Sequence, residues 1–98
     1  MKIGNRKISP YHSPLVIAEI GINHGGDLGV AKNMVRLAAM SGCECVKHQT
    51  HIVEDEMTDE AKKIFPPNAD MSIWDVMAEC ALSRGEEAEL KRYTEGLG

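Results

Sequence analysis

CECVKHQTH, residues 43–51, begins as an apolar strand and ends with a lysine, two histidines, a glutamine and a threonine within five positions. A buried strand more often closes on turn residues than on donors, acceptors and titratable groups. The stretch also has a counterpart upstream. LVIAEIG, residues 15–21, is an apolar run of strand length broken only by Glu19, the pattern of a strand covered on both faces. Between the two runs, Asp27 is an N-cap candidate, and Ala31, Met34, Val35 and Ala38 fall at i, i+3, i+4 and i+7, with Leu28 extending the stripe backward. Gly42 stands where a helix C-cap belongs. Strand, helix and strand in this short space predict a βαβ unit with a right-handed parallel crossover.

Outward from that unit, Ile3 and Ile8 flank a Gly4-Asn5 turn signal, which predicts a small β-hairpin before the main fold. Residues 48–71 are polar and contain prolines, with a short helix expected around TDEAKKIF. A long loop after the C-terminal end of a parallel strand is commonly functional. Ser72 with Asp75, and Ser83 with Glu86, are capping signatures for two further helices, the first carrying Ile73, Val76, Met77, Cys80 and Ala81 on one face and the second running to about Leu97. Two core strands and about three helices do not cover both faces of a parallel sheet. Residues 1–98 are therefore expected to be one α/β domain segment, the first part of a larger protein.

Composition narrows the function. A 43% hydrophobic and 27% charged chain is an ordinary globular one, and a net charge of −4 with scattered Lys and Arg argues against a nucleic-acid partner. The apolar runs are too short to span a bilayer and MKIGNRKIS has no secretory apolar core, so no membrane partner and a cytoplasmic location are expected. Cys43, Cys45 and Cys80 read as reduced, buried thiols, since Cys-x-Cys lacks the spacing that puts zinc ligands on one side of a metal.

Side chains alternate along a strand. Leu15, Ile17 and Glu19 share one face, opposed by Val16, Ala18 and Ile20; Cys43, Cys45, Lys47 and Gln49 share a face, opposed by Glu44, Val46, His48 and Thr50. With the small cysteines inward, Glu19 comes to lie beside Lys47 at the C-terminal ends of the strands, where ligands of parallel βα proteins bind. One reading is a buried ion pair that only sets strand register; the other is a lysine that neutralises an anionic substrate beside a carboxylate that manages protons.

AEIGINHGG (18–26) followed by VKHQT (46–50) resembles the N-acetylneuraminate (sialic acid) synthase family, whose usual pattern is AEIG-x-NH-x-G and then VK-F-Q-T. The resemblance extends through the loop HIVEDEMTDEAKKIFPPNADMSIWDVM. It implies the first βα units of a (β/α)8 TIM barrel that condenses phosphoenolpyruvate with an open-chain N-acyl amino sugar, N-acetylmannosamine in the sialic acid enzymes. Carbon 3 attacks the aldehyde, water adds at carbon 2, and phosphate leaves by C–O cleavage. It further implies a divalent metal, Mn2+ or Mg2+, held by histidines of later strands that this sequence lacks, and homo-oligomers, typically dimers with a C-terminal antifreeze-like domain.

On this chain the resemblance makes Lys47 the phosphoenolpyruvate-binding cation. Glu19 becomes the essential carboxylate, handling the water or the positive charge developing at carbon 2. Gln49 lies near sugar and metal, and Asn23 and His24 belong to the loop that shapes the site; Thr50 completes the substrate-binding candidates. His24 either caps the site or acts in the chemistry directly. His48 departs from the usual phenylalanine and, lying opposite Lys47, is expected to pack against helices; His51 is expected in the loop, and Trp74 as a packing anchor. Other readings are a legionaminic acid synthase of the same family and a non-catalytic module that retains only the anion pocket. The fragment by itself is expected to be inactive.

Overall fold

A computed structural model describes all 98 residues. The hairpin is β1 (Lys2–Ile3) and β2 (Arg6–Lys7), antiparallel around Gly4, whose φ of 56° is the left-handed geometry such a turn needs. Arg6 ties it to the lower end of the main sheet, donating to the Glu44 carboxylate at 2.8 Å and to the Ser13 carbonyl at 2.6 Å.

The βαβ unit forms as the pattern dictates. β3 (Ile17–Gly21) and β4 (Cys45–His48) pair in parallel, and α1 (Leu28–Met40) crosses between them. β3 starts two residues later than its apolar run, because β4 begins only at Cys45 and leaves Leu15 and Val16 without ladder partners. Asp27 accepts from the Val30 N–H, and Gly42, at φ 89°, follows the C-cap Ser41. The loop after β4 holds a one-turn helix, α2 (Val53–Glu56), and a 3-10 turn (Ala61–Lys63). α3 (Ile73–Cys80) starts on Ser72, and α4 (Arg84–Gly96) on a complete Ser83–Glu86 capping box.

The core is Ile20, Ala31, Val35, Leu82 and Leu90, with Leu28, Met34, Val46 and Tyr93 packed around it. It joins one face of the β3–β4 sheet to α1 and α4. The opposite face has no covering layer: Ile17 is 49% exposed, so the expectation of a strand covered on both sides holds for one side only. The three cysteines are free, and half-buried rather than buried. Trp74 is also half-buried, and its indole N–H has no partner. No helix is long and apolar enough to cross a membrane.

Candidate functional site

The register Ile17↔Cys45, Ala18↔Val46, Glu19↔Lys47 sets Glu19 and Lys47 directly side by side, as alternation predicts. Lys47 Nζ donates to Glu19 Oε2 at 2.7 Å. The two side chains are 62% and 47% exposed, because nothing overlies this face of the sheet. A pair so open to water contributes little to stability, which removes much of the case for a purely structural role.

Beyond Glu19 the ladder slips: Gly21, not Ile20, pairs with His48, and Gly21 takes φ 52°. This irregularity turns the strand end so that three polar side chains close around the glycine. A Cβ on Gly21 would stand 3.3 Å from Glu19 Oε1, 3.7 Å from Asn23 Nδ2 and 3.9 Å from Gln49 Cδ. Asn23 is held there by donating to the Ile20 carbonyl at 3.0 Å. Glu19, Asn23, Lys47 and Gln49 thus converge at the strand ends. Oε1 of Glu19, the oxygen not given to Lys47, lies on the side of Asn23 and Gln49.

His51 extends the cluster into the loop. Its Nδ1 lies 2.8 Å from Glu56 Oε2 and its Nε2 3.4 Å from Gln49 Oε1. Glu56 also accepts the Ile52 N–H at 2.9 Å. These bonds hold the Glu56 carboxyl below its usual range, the His51 hydrogen bond first among the causes. The participation of His51 and Glu56 was not visible in the sequence, since neither periodicity nor alternation extends into an irregular loop.

Two candidates lie elsewhere. Thr50 Oγ1 donates to Glu87 Oε2 on α4 at 3.0 Å, on the helix side of the sheet, as its place opposite Lys47 in the alternation requires. His24 is 3% exposed and meets His48 Nε2 to Nε2 at 3.0 Å. It therefore supports the site loop from within and does not face the Glu19–Lys47 pair. His48, Thr50 and Glu87 line a cavity of about 520 Å³ between β4 and α4, together with Ile20, Val46 and Leu90.

No three His, Cys, Asp or Glu side chains converge as a metal-holding group, and Glu19 is already engaged by Lys47. The residues present do not by themselves fit a resident divalent ion.

A family profile described as the NeuB family matches residues 34–98. Human N-acetylneuraminate-9-phosphate synthase is 35% identical over 98 residues, covering 95% of this chain and 27% of that protein. The N,N'-diacetyllegionaminic acid synthase of Campylobacter jejuni is 45% identical over 49 residues, covering 50% of this chain and 15% of that protein. An uncharacterized protein of Methanocaldococcus jannaschii is 30% identical over 98 residues, covering 100% of this chain and 26% of that protein. The chain spans about a quarter of the length of the relatives it matches from end to end.

Proposed function

Because the chain belongs to the NeuB family, we propose that it supplies the first two strands of a (β/α)8 barrel and, with them, the anion-binding floor of a sialic-acid-type synthase. The substrates in this reading are phosphoenolpyruvate and N-acetylmannosamine, and the products N-acetylneuraminate and phosphate. The observation that carries it is the exposed Glu19–Lys47 pair at the C-terminal end of a parallel sheet, ringed by Asn23 and Gln49.

The chemistry follows from the pair. An ammonium on a flexible stem is a point cation suited to a phosphate or carboxylate. An arriving phosphoenolpyruvate competes with Glu19 for Lys47. As the lysine turns to the ligand, the Glu19 carboxylate is released from its ion pair and is free to accept a proton from the water that adds at carbon 2. Asn23 and Gln49 offer amide donors and acceptors to the sugar hydroxyls and to that water. In this proposal the divalent metal and the dimer contacts come from other parts of the full-length protein. The higher local identity to a legionaminic acid synthase supports a second reading, in which the sugar is a diacetylated analogue and the phosphoenolpyruvate half is unchanged.

The test is phosphate release from phosphoenolpyruvate and N-acetylmannosamine by a protein of the relatives' full length that carries this segment. Alanine at Glu19 or at Lys47 is expected to lower turnover by about a hundredfold or more. Near-normal turnover in either variant refutes the assignment.

A further inference from the structure

We propose that His48 is a positioning residue for this site: from the opposite side of the sheet its ring accepts a hydrogen bond from His24 and so holds the loop that carries Asn23 beside Glu19. The role rests on the reading of Glu19, Asn23, Lys47 and Gln49 as the site.

The proton positions follow from the partners. His24 Nδ1 accepts the Gly26 N–H at 3.0 Å, so Nδ1 bears a lone pair and the ring hydrogen sits on Nε2. That Nε2–H points at His48 Nε2, 3.0 Å away, which must then be an acceptor, leaving the His48 hydrogen on Nδ1. The ring planes lie within 24° of each other and the centroids are 5.1 Å apart. That separation exceeds the nitrogen–nitrogen distance by about two ring radii, so the rings meet edge to edge, as a near-linear N–H···N bond requires. His24 thus bridges His48 to the backbone of its own loop.

The loop it holds is tightly built. Asn23 N donates to the Ile20 carbonyl at 3.1 Å, Gly25 N to Ile22 at 3.0 Å, and Asp27 N to His24 at 3.2 Å. Gly26, at φ 84°, packs so closely on the end of α3 that a Cβ there would stand 2.2 Å from the Glu79 carbonyl oxygen. Losing the His24 bridge frees the Gly26 N–H and the turn that places Asn23.

A proton on His24 Nδ1 removes the acceptor of the Gly26 N–H and so undoes the arrangement. Asp27 and Glu87 face His24 and favour its cation, but burial, followed by the neighbouring His48, outweighs them and lowers its proton affinity. Along the cavity His48 shares space with Glu87, Arg84, Lys91 and Glu95. A folded-state pKa below the unfolded 6.5 means the unfolded loop binds more protons. The latch is therefore intact above that value and weakens as pH falls below it.

Nitrogen-15 spectra of the imidazoles in the chain test the tautomers directly: His24 protonated at Nε2 and His48 at Nδ1 are expected at pH 7.5 or about that value. The opposite tautomer at His48 overturns the proposal. Amide exchange at Gly26, corrected for intrinsic rates, is expected to lose protection below neutrality by up to about tenfold per pH unit. His48→Gln, which keeps an acceptor, is expected to retain protection at neutral pH. His48→Leu is expected to lose it throughout. Protection in His48→Leu equal to that of the parent at neutral pH contradicts the proposal. None of these readouts involves turnover, so failure of the synthase reading leaves them unchanged.

Discussion

The Glu19–Lys47 pair illustrates how far single residues were legible. Period-two alternation put the two on one face and adjacent registers, and the ladder has them 2.7 Å apart. Alternation also sent Thr50 and His48 to the other face, where α4 receives them. It did not reveal that His24 would reach through to His48, because a loop residue's direction depends on turn geometry rather than strand period. Nor did it reveal Gly21 as the point around which Glu19, Asn23 and Gln49 gather, which follows from a ladder irregularity with no sequence period. Since the pair is 62% and 47% exposed, Glu19→Gln and Lys47→Met are each expected to change unfolding free energy by less than about 1 kcal/mol, measured by urea denaturation. A loss well above that value marks the pair as structural after all.

At the scale of elements, the helices were legible through their caps. Ser72, Ser83 and Asp27 each accept an N–H from the first turn of the helix they precede. Ser83→Ala, which removes the half of the α4 capping box in which Oγ accepts the Glu86 N–H, is expected to cost about 1 kcal/mol by the same measurement, with Ser83→Asn close to neutral. The one-turn α2 was not foreseen: it carries no apolar stripe and stands on the Glu56 carboxylate, which accepts the Ile52 N–H and pairs with His51. The adjacent glycines of the site loop separate two kinds of constraint. Gly25, at φ 64° with open space around it, is expected to accept alanine at about 1–2 kcal/mol of left-handed strain. Gly26→Ala is expected to cost more than about 3 kcal/mol, because the obstacle is the Glu79 backbone and α3 itself must move. Equal melting shifts for the two variants contradict the packing of that loop on α3.

The whole molecule is open for its length. Its radius of gyration is 16.0 Å, where a compact domain of this size has about 13 Å. Nine of 98 residues are buried, so a single core truncation acts on a small reserve of stability. Leu90→Ala is expected to cost about 2–5 kcal/mol and to leave much of the chain unfolded at 25 °C, read by far-ultraviolet circular dichroism. The parallel sheet with one uncovered face is an α/β fragment, and the chain spans about a quarter of the relatives it matches from end to end. The open face of the sheet was legible in the sequence, whose two core strands and few helices do not suffice to cover both sides of a parallel sheet. The direct test of the anion floor is calorimetric titration of phosphoenolpyruvate into a protein of the relatives' full length that carries this segment, with and without Lys47→Ala. Loss of the lysine is expected to weaken binding by about tenfold to a hundredfold, and an unchanged dissociation constant would contradict the account.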